Sequence, residues 1–142
     1  MFRGIARGIV LVALVALAGA CGTTTTVPTP VINTITETYS GTLIPASAGT
    51  FSFTTLTGGT IVATLTTLGP DNTKTVGFSL GTFVAASNTC TVILDNAAAP
   101  QAFVFNATAS SIGTYCVRIY DNGNVTTDKV PYTFTITVAH PQ

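Results

Sequence analysis

Charge is what this sequence has least of. Of 142 residues, five are Lys or Arg and five are Asp or Glu, for a formal charge of zero and 7% charged residues. A protein that neutralises phosphates needs a basic surface, so this balance excludes most nucleic-acid binders, and none is expected as a partner. Tryptophan is absent and histidine occurs once, as His140. One imidazole cannot build the clustered His/Cys set that zinc requires, and no cofactor is expected. Three cysteines leave one unpaired in an oxidising compartment.

What is present is threonine, 29 residues of it, in a chain that is 46% hydrophobic. The apolar content is enough to build a core, which argues against disorder. Threonine at this density favours strands over helices, and the length suits one domain.

The N-terminus reads as an address. Arg3 and Arg7 form a small basic region, Ile9 to Leu17 is an unbroken apolar run, and Ala18-Gly19-Ala20 precedes Cys21. This is the order of a secretory signal over residues 1–20. From Ile9 through Ala20 the apolar stretch is 12 residues and would span about 18 Å as a helix, short of the ~30 Å needed to cross a bilayer core. Ala18-Gly19-Ala20 fits ordinary signal peptidase. Leu17-Ala18-Gly19-Ala20-Cys21 also resembles the lipobox of bacterial lipoproteins, which implies acylation of Cys21 and an anchor in a membrane. Pairing Cys90 with Cys116 leaves Cys21 as the odd cysteine, available for lipidation. A chain starting at Cys21 would carry three basic and five acidic residues, a net charge of −2. Its acyl chains, not a basic patch, would then hold it to lipid.

Residues 21–34 contain no charge, a threonine run and two prolines, Pro28 and Pro30. Such a segment is extended and semi-stiff, a tether if Cys21 is anchored. From residue 35 to 142 the pattern is β-type runs between turn residues: Thr36–Ile44, Gly49–Thr57, Thr60–Leu68, Thr75–Val84, Thr89–Leu94, Ala102–Ala107, Thr114–Tyr120 and Pro131–Ala139. Gly58-Gly59 reads as a hairpin-type turn, and Gly69-Pro70-Asp71-Asn72 and Asp121-Asn122-Gly123-Asn124 as strong turns. The last run is the cleanest alternation, with Tyr132, Phe134, Ile136 and Val138 on one face and Thr133, Thr135 and Thr137 on the other. Ala97-Ala98-Ala99 reads as at most a turn of helix, stopped by Pro100. About eight short strands predict an all-β domain, a single antiparallel sandwich or barrel. An export signal makes a Cys90–Cys116 disulfide the default, with two reduced thiols as the alternative. Alternation places Cys116 beside Arg118 and Tyr120, away from Tyr115, Val117 and Ile119, so the bridge lies on the outer face or that face is covered.

Gly113-Thr114-Tyr115-Cys116-Val117-Arg118-Ile119-Tyr120-Asp121 and Tyr132-Thr133-Phe134-Thr135-Ile136-Thr137-Val138 together resemble the end of a bacterial pre-peptidase C-terminal domain. Ser40-Gly41-Thr42-Leu43 and Phe51-Ser52-Phe53 are similar to its opening strands. The resemblance implies a β-sandwich of jelly-roll type that works as an accessory module of secreted enzymes, aiding secretion, substrate contact or calcium-dependent stability. Where that family often carries an acidic Asp-x-Asp strand, this chain has Val76-Gly77-Phe78-Ser79-Leu80-Gly81, and no peptidase is attached.

Few constellations could carry chemistry. Gly77-Phe78-Ser79-Leu80-Gly81 matches the G-x-S-x-G nucleophile elbow, but no helix follows it, and its base would have to be His140, two residues from the end and therefore poorly positioned on a fraying terminus. Asp121, Asn122, Asn124 and Asp128 form a local oxygen-rich group and are weak calcium candidates; the plainer reading is a hairpin turn. Tyr39 and Tyr120 are candidate platforms for sugar. Asn106-Ala107-Thr108 and Asn124-Val125-Thr126 match the glycosylation triplet. The sequence thus predicts a non-catalytic cell-envelope lipoprotein, in the outer membrane or at the cell surface, that presents an interaction or accessory module to an unknown protein or glycan. The alternatives are a carbohydrate-binding module and a secreted or periplasmic protein.

Overall fold

The computed structural model describes residues 31–126 and 131–142. The signal segment, Cys21, the tether up to residue 30 and Asp128 lie outside the described residues. Val31–Gln142 is one compact unit of eight strands: β1 (Thr34–Leu43), β2 (Ala48–Thr55), β3 (Gly59–Gly69), β4 (Val76–Val84), β5 (Thr89–Ala99), β6 (Val104–Ala109), β7 (Gly113–Tyr120) and β8 (Tyr132–Pro141).

The strands form two antiparallel four-stranded sheets, ordered β1-β8-β3-β6 and β2-β7-β4-β5. Their inner faces share one core, so the domain is a β-sandwich, and this strand order is that of an eight-stranded jelly roll. Consecutive strands pair in one case, β4 with β5. Every other connection between the described strands crosses from one sheet to the other. This corrects two expectations. Gly58-Gly59 and Asp121–Asn124 are arches between sheets, not hairpin turns. The actual hairpin turns through Ala85-Ala86-Ser87-Asn88, with Asn88 at positive φ.

Period-two patterning decides which face is buried. Along β8, Tyr132, Phe134, Ile136, Val138 and His140 point inward, while Thr133 and Thr135 and their neighbours line the outside. Phe78, Leu80, Val117 and Ile119 answer them from the other sheet. Each buried Val, Leu, Ile or Phe among them contributes roughly 1.5–3 kcal/mol. Aromatic pairs continue the packing: Tyr39 on Phe51 at 5.1 Å, Phe53 on Tyr115 at 5.9 Å and Phe78 on Phe105 at 5.5 Å. Ala97–Ala99 extend β5 as strand, because Val76 pairs with Ala99 and buries it. No helical turn forms there.

The two flanks of the sandwich differ. Where edge strands β1 and β2 meet, the Tyr39 hydroxyl, whose single proton is shared between Glu37 and Ser52, reaches the Ser52 carbonyl at 3.1 Å, and the Gln142 amide donates to the Thr54 carbonyl at 2.9 Å. These bonds stitch the sheets together. No such bond joins β5 to β6 among the described residues, and that flank holds a cleft.

Candidate functional site

The G-x-S-x-G segment lies within β4, an inner strand of its sheet. Ser79 is on the outer face and fully buried, and its Oγ donates to Asp95 Oδ1 at 2.7 Å. The Tyr120 hydroxyl donates to the same carboxylate, at 3.0 Å and 3.1 Å to its two oxygens. To reach it, the tyrosine ring crosses Gly77, where a β-carbon would overlap the ring. Gly81 is bare for a similar reason: the Thr91 carbonyl sits where its β-carbon would be. The glycines therefore exist so that other groups can pass over β4. His140 lies on the inner face of the opposite sheet, so the structure does not bring the serine and the imidazole together. Arg118 places its guanidinium carbon 4.7 Å from the Tyr120 ring centre, a cation–π contact. Burial and the Asp95 carboxylate raise the Tyr120 pKa, against an opposing effect of Arg118.

The Cys90–Cys116 disulfide also passes over β4. It joins β5 to β7, the strands on either side of it, with Cα atoms 5.9 Å apart. A β-bulge makes this reach possible. Leu80 pairs with Leu94 and Gly81 with Val92, so Ile93 is the extra residue. The bulge bends β5, bringing Thr91 over Gly81. The bridge thus lies on the outer face, and Cys116 is fully buried there.

On the inner face His140 is held tightly, contrary to the expectation of a loose terminus. β8 pairs with β1 as far as Pro141 opposite Thr34, and Gln142 N–H donates to the Asn33 carbonyl at 2.8 Å. The imidazole is fully buried, with Nε2 at 3.0 Å from Glu37 Oε1 and Nδ1 at 3.2 Å from the Gln142 amide nitrogen. An amide N–H can only donate, so Nδ1 accepts and Nε2–H donates to Glu37. The Tyr39 hydroxyl donates to the other Glu37 oxygen. Burial, then that bond and the Glu37 charge, push the tyrosine pKa well above its ordinary value.

Asp121 organises the arch between β7 and β8. Its Oδ1 accepts from the N–H groups of Gly123 at 2.8 Å and Val125 at 3.0 Å, and its Oδ2 from Ala46 N–H at 2.9 Å. Burial pushes its pKa up, but the N–H donors of Ala46, Val125, Gly123 and Asn124 outweigh it and hold the carboxyl below the usual range. Asn122 donates to the Ala97 carbonyl at 2.7 Å and Asn124 to the Thr75 carbonyl at 2.9 Å. Three of the four calcium candidates thus tie three loops and the last residues of β5 together at one end of the sandwich.

The cleft on the β5/β6 flank is the feature that sequence reasoning missed. It has a volume of about 250 Å³ and is walled by Ile61, Leu80, Leu94, Ala107 and Tyr115, with Ile93, Asn106 and Thr108 at its rim. Ile93 is 64% exposed. The same bulge accounts for it: β5 bends toward the outer face at Ile93 and leaves the space between the sheets unfilled. No sequence pattern marks a bulge of this kind, because Thr-Val-Ile-Leu reads as an ordinary strand.

The chain matches no protein-family model, and no curated protein matches it.

Proposed function

We propose that this chain is a cell-envelope lipoprotein whose β-sandwich is a non-catalytic binding or accessory module. Acyl chains on Cys21 hold it in a membrane, and the Thr/Pro segment spaces the domain from the surface. The lipobox resemblance and the parity of the cysteines support the anchor. For the module, the carrying observation is the open apolar cleft in a domain whose Ser79, Asp95, Tyr120 and His140 are committed to structure. Ser79, Asp95 and Tyr120 bond one another over β4, and His140 is bonded at both ring nitrogens. A jelly roll by itself specifies no activity.

Protein partners are favoured over sugars on one ground. Neither candidate platform offers an uncommitted ring: Tyr39 stacks on Phe51, and Tyr120 lies between Gly77 and Arg118. Metabolic labelling with a fatty-acid analogue should mark the wild-type protein and not Cys21→Ser; a released, unlabelled wild type would refute the anchor. Saturable polysaccharide binding lost on Tyr120→Ala would replace the module reading with the carbohydrate one. Ester hydrolysis lost on Ser79→Ala would end the non-catalytic reading.

A further inference from the structure

We propose that the β5/β6 flank is a strand-addition site: an extended, uncharged polypeptide segment pairs with the open edge of β6 and lowers an apolar side chain into the cleft. This rests on the reading of the domain as a binding module and names its ligand class.

The hydrogen-bond phase of β6 points to its free edge. Leu65 N–H donates to the Phe103 carbonyl at 3.0 Å. In an antiparallel pair, residues alternate between bonding to their neighbour and facing away. Phe105 and Ala107 therefore bond toward β3, and the N–H and C=O groups of Val104, Asn106 and Thr108 face the open side. No described strand lies beside them. Natural edges are guarded by charge, proline, lysine or bulges, and Val104–Ala109 (VFNATA) has none of these. The neighbouring edge, β5, is guarded by its bulge at Ile93 and by Asp95.

The cleft fixes the side chain. A cavity of about 150 Å³ accepts benzene, so 250 Å³ holds one aromatic or branched aliphatic side chain. It falls below the ~300–1,000 Å³ of sites for whole drug-sized molecules. Ala107, on the cleft side of β6, is small enough to leave that room. Neither the cleft lining nor β6 carries a charge, so a charged segment would be desolvated without compensation, and a neutral one matches. Strand addition reads alternate side chains. The inward positions meet the cleft, and the outward ones continue the exposed face of Val104, Asn106 and Thr108.

The probe is a fluorescein-labelled nonapeptide alternating threonine with valine, with one central phenylalanine; the control peptide has aspartate in place of the phenylalanine. Titration of the full chain in detergent should give saturable anisotropy, and hydrogen exchange should show new protection at Val104, Asn106 and Thr108. The control should bind at least 10-fold more weakly. Asn106→Pro removes an outward N–H without touching the β3 ladder, and Ala107→Leu fills the cleft. Each should weaken binding at least 10-fold in protein that still melts cooperatively. Ile93→Asp, at an exposed rim position, gives a third test should either variant fail to fold. No saturable binding, or binding indifferent to the folded variants, overturns the proposal. So does benzyl alcohol competing at the cleft with no peptide protection of β6, which would make it a small-molecule pocket. Protection of β6 by self-association alone would make a second copy the occupant, and overturns it too. If the peptide fails while a glycan or another protein binds elsewhere on the sandwich, this inference falls and the module reading stands.

Discussion

Tyr120 lies across Gly77, with its hydroxyl on Asp95 and its ring in the space a β-carbon would occupy. A G-x-S-x-G pattern is thereby explained by packing on a sheet. Gly77→Ala should force the ring off its carboxylate and cost about 2–3 kcal/mol, combining overpacking with lost hydrogen bonds. In a Tyr120→Ala background the same change should cost much less, since the clash is gone. Urea unfolding of the four proteins in the cycle measures this; equal costs in both backgrounds would contradict it.

The disulfide closes a loop between residues 26 apart in sequence. Replacing both cysteines with serine should cost roughly 3–4 kcal/mol by the loop-entropy argument. Gly81→Ala should be as harmful with the bridge intact, because its β-carbon meets the Thr91 backbone, which cannot rotate away. Thermal melts of the oxidised wild type, the double serine variant and Gly81→Ala separate the two effects.

Asp121 makes stability depend on acid. Its pKa is held below that of the unfolded chain, so its contribution is fully present above the ordinary carboxylate value near 3.8 and is lost as pH falls through the lower, folded value. Asp121→Asn should cost about 1–2 kcal/mol at pH 7, discounted for solvent exposure. Once the wild-type carboxylate is protonated, that difference should shrink. A gap between variant and wild type that stays constant from pH 7 to pH 2 would show that the charge does not matter.

The fold was largely legible. All eight strands are found near the expected runs, since period two survives wherever one sheet face is wet, as in Tyr132–Val138; β5 runs past Leu94 to Ala99, where an alanine run before Pro100 carries no alternation. Connectivity was less so. Gly58-Gly59 and Asp121–Asn124 signal a reversal of the chain, and nothing in the glycine or asparagine chemistry says whether the next strand pairs with its predecessor or crosses to the other sheet. The long-range register decides that. The outer-face bridge was readable from the position of Cys116, but the cover over it was not, because it depends on a bulge at Ile93 that has no local signature. The cleft was hidden for the same reason. The order of His140 is not legible from its place near the end of the chain, because pairing of β8 with β1 and the bond from Gln142 to Thr54 determine it.

His140 supports the flank that is closed. Its ring touches Phe53, with centres 5.0 Å apart, donates to Glu37 and accepts from Gln142, which in turn holds the Thr54 carbonyl of the other sheet. His140→Ala removes the ring from a fully buried position and leaves Glu37 with Tyr39 as its remaining partner, so a loss of about 2–4 kcal/mol is expected. Glu37→Gln keeps an acceptor for the imidazole on a side chain that is 35% exposed, and should cost less than about 1.5 kcal/mol. Hydrogen exchange locates the damage: in His140→Ala, amides of β1 and of the last residues of β8 should lose protection, while those of β4 and β7 keep theirs. Uniform loss across both sheets would mean that the imidazole stabilises the core as a whole instead of clasping this edge.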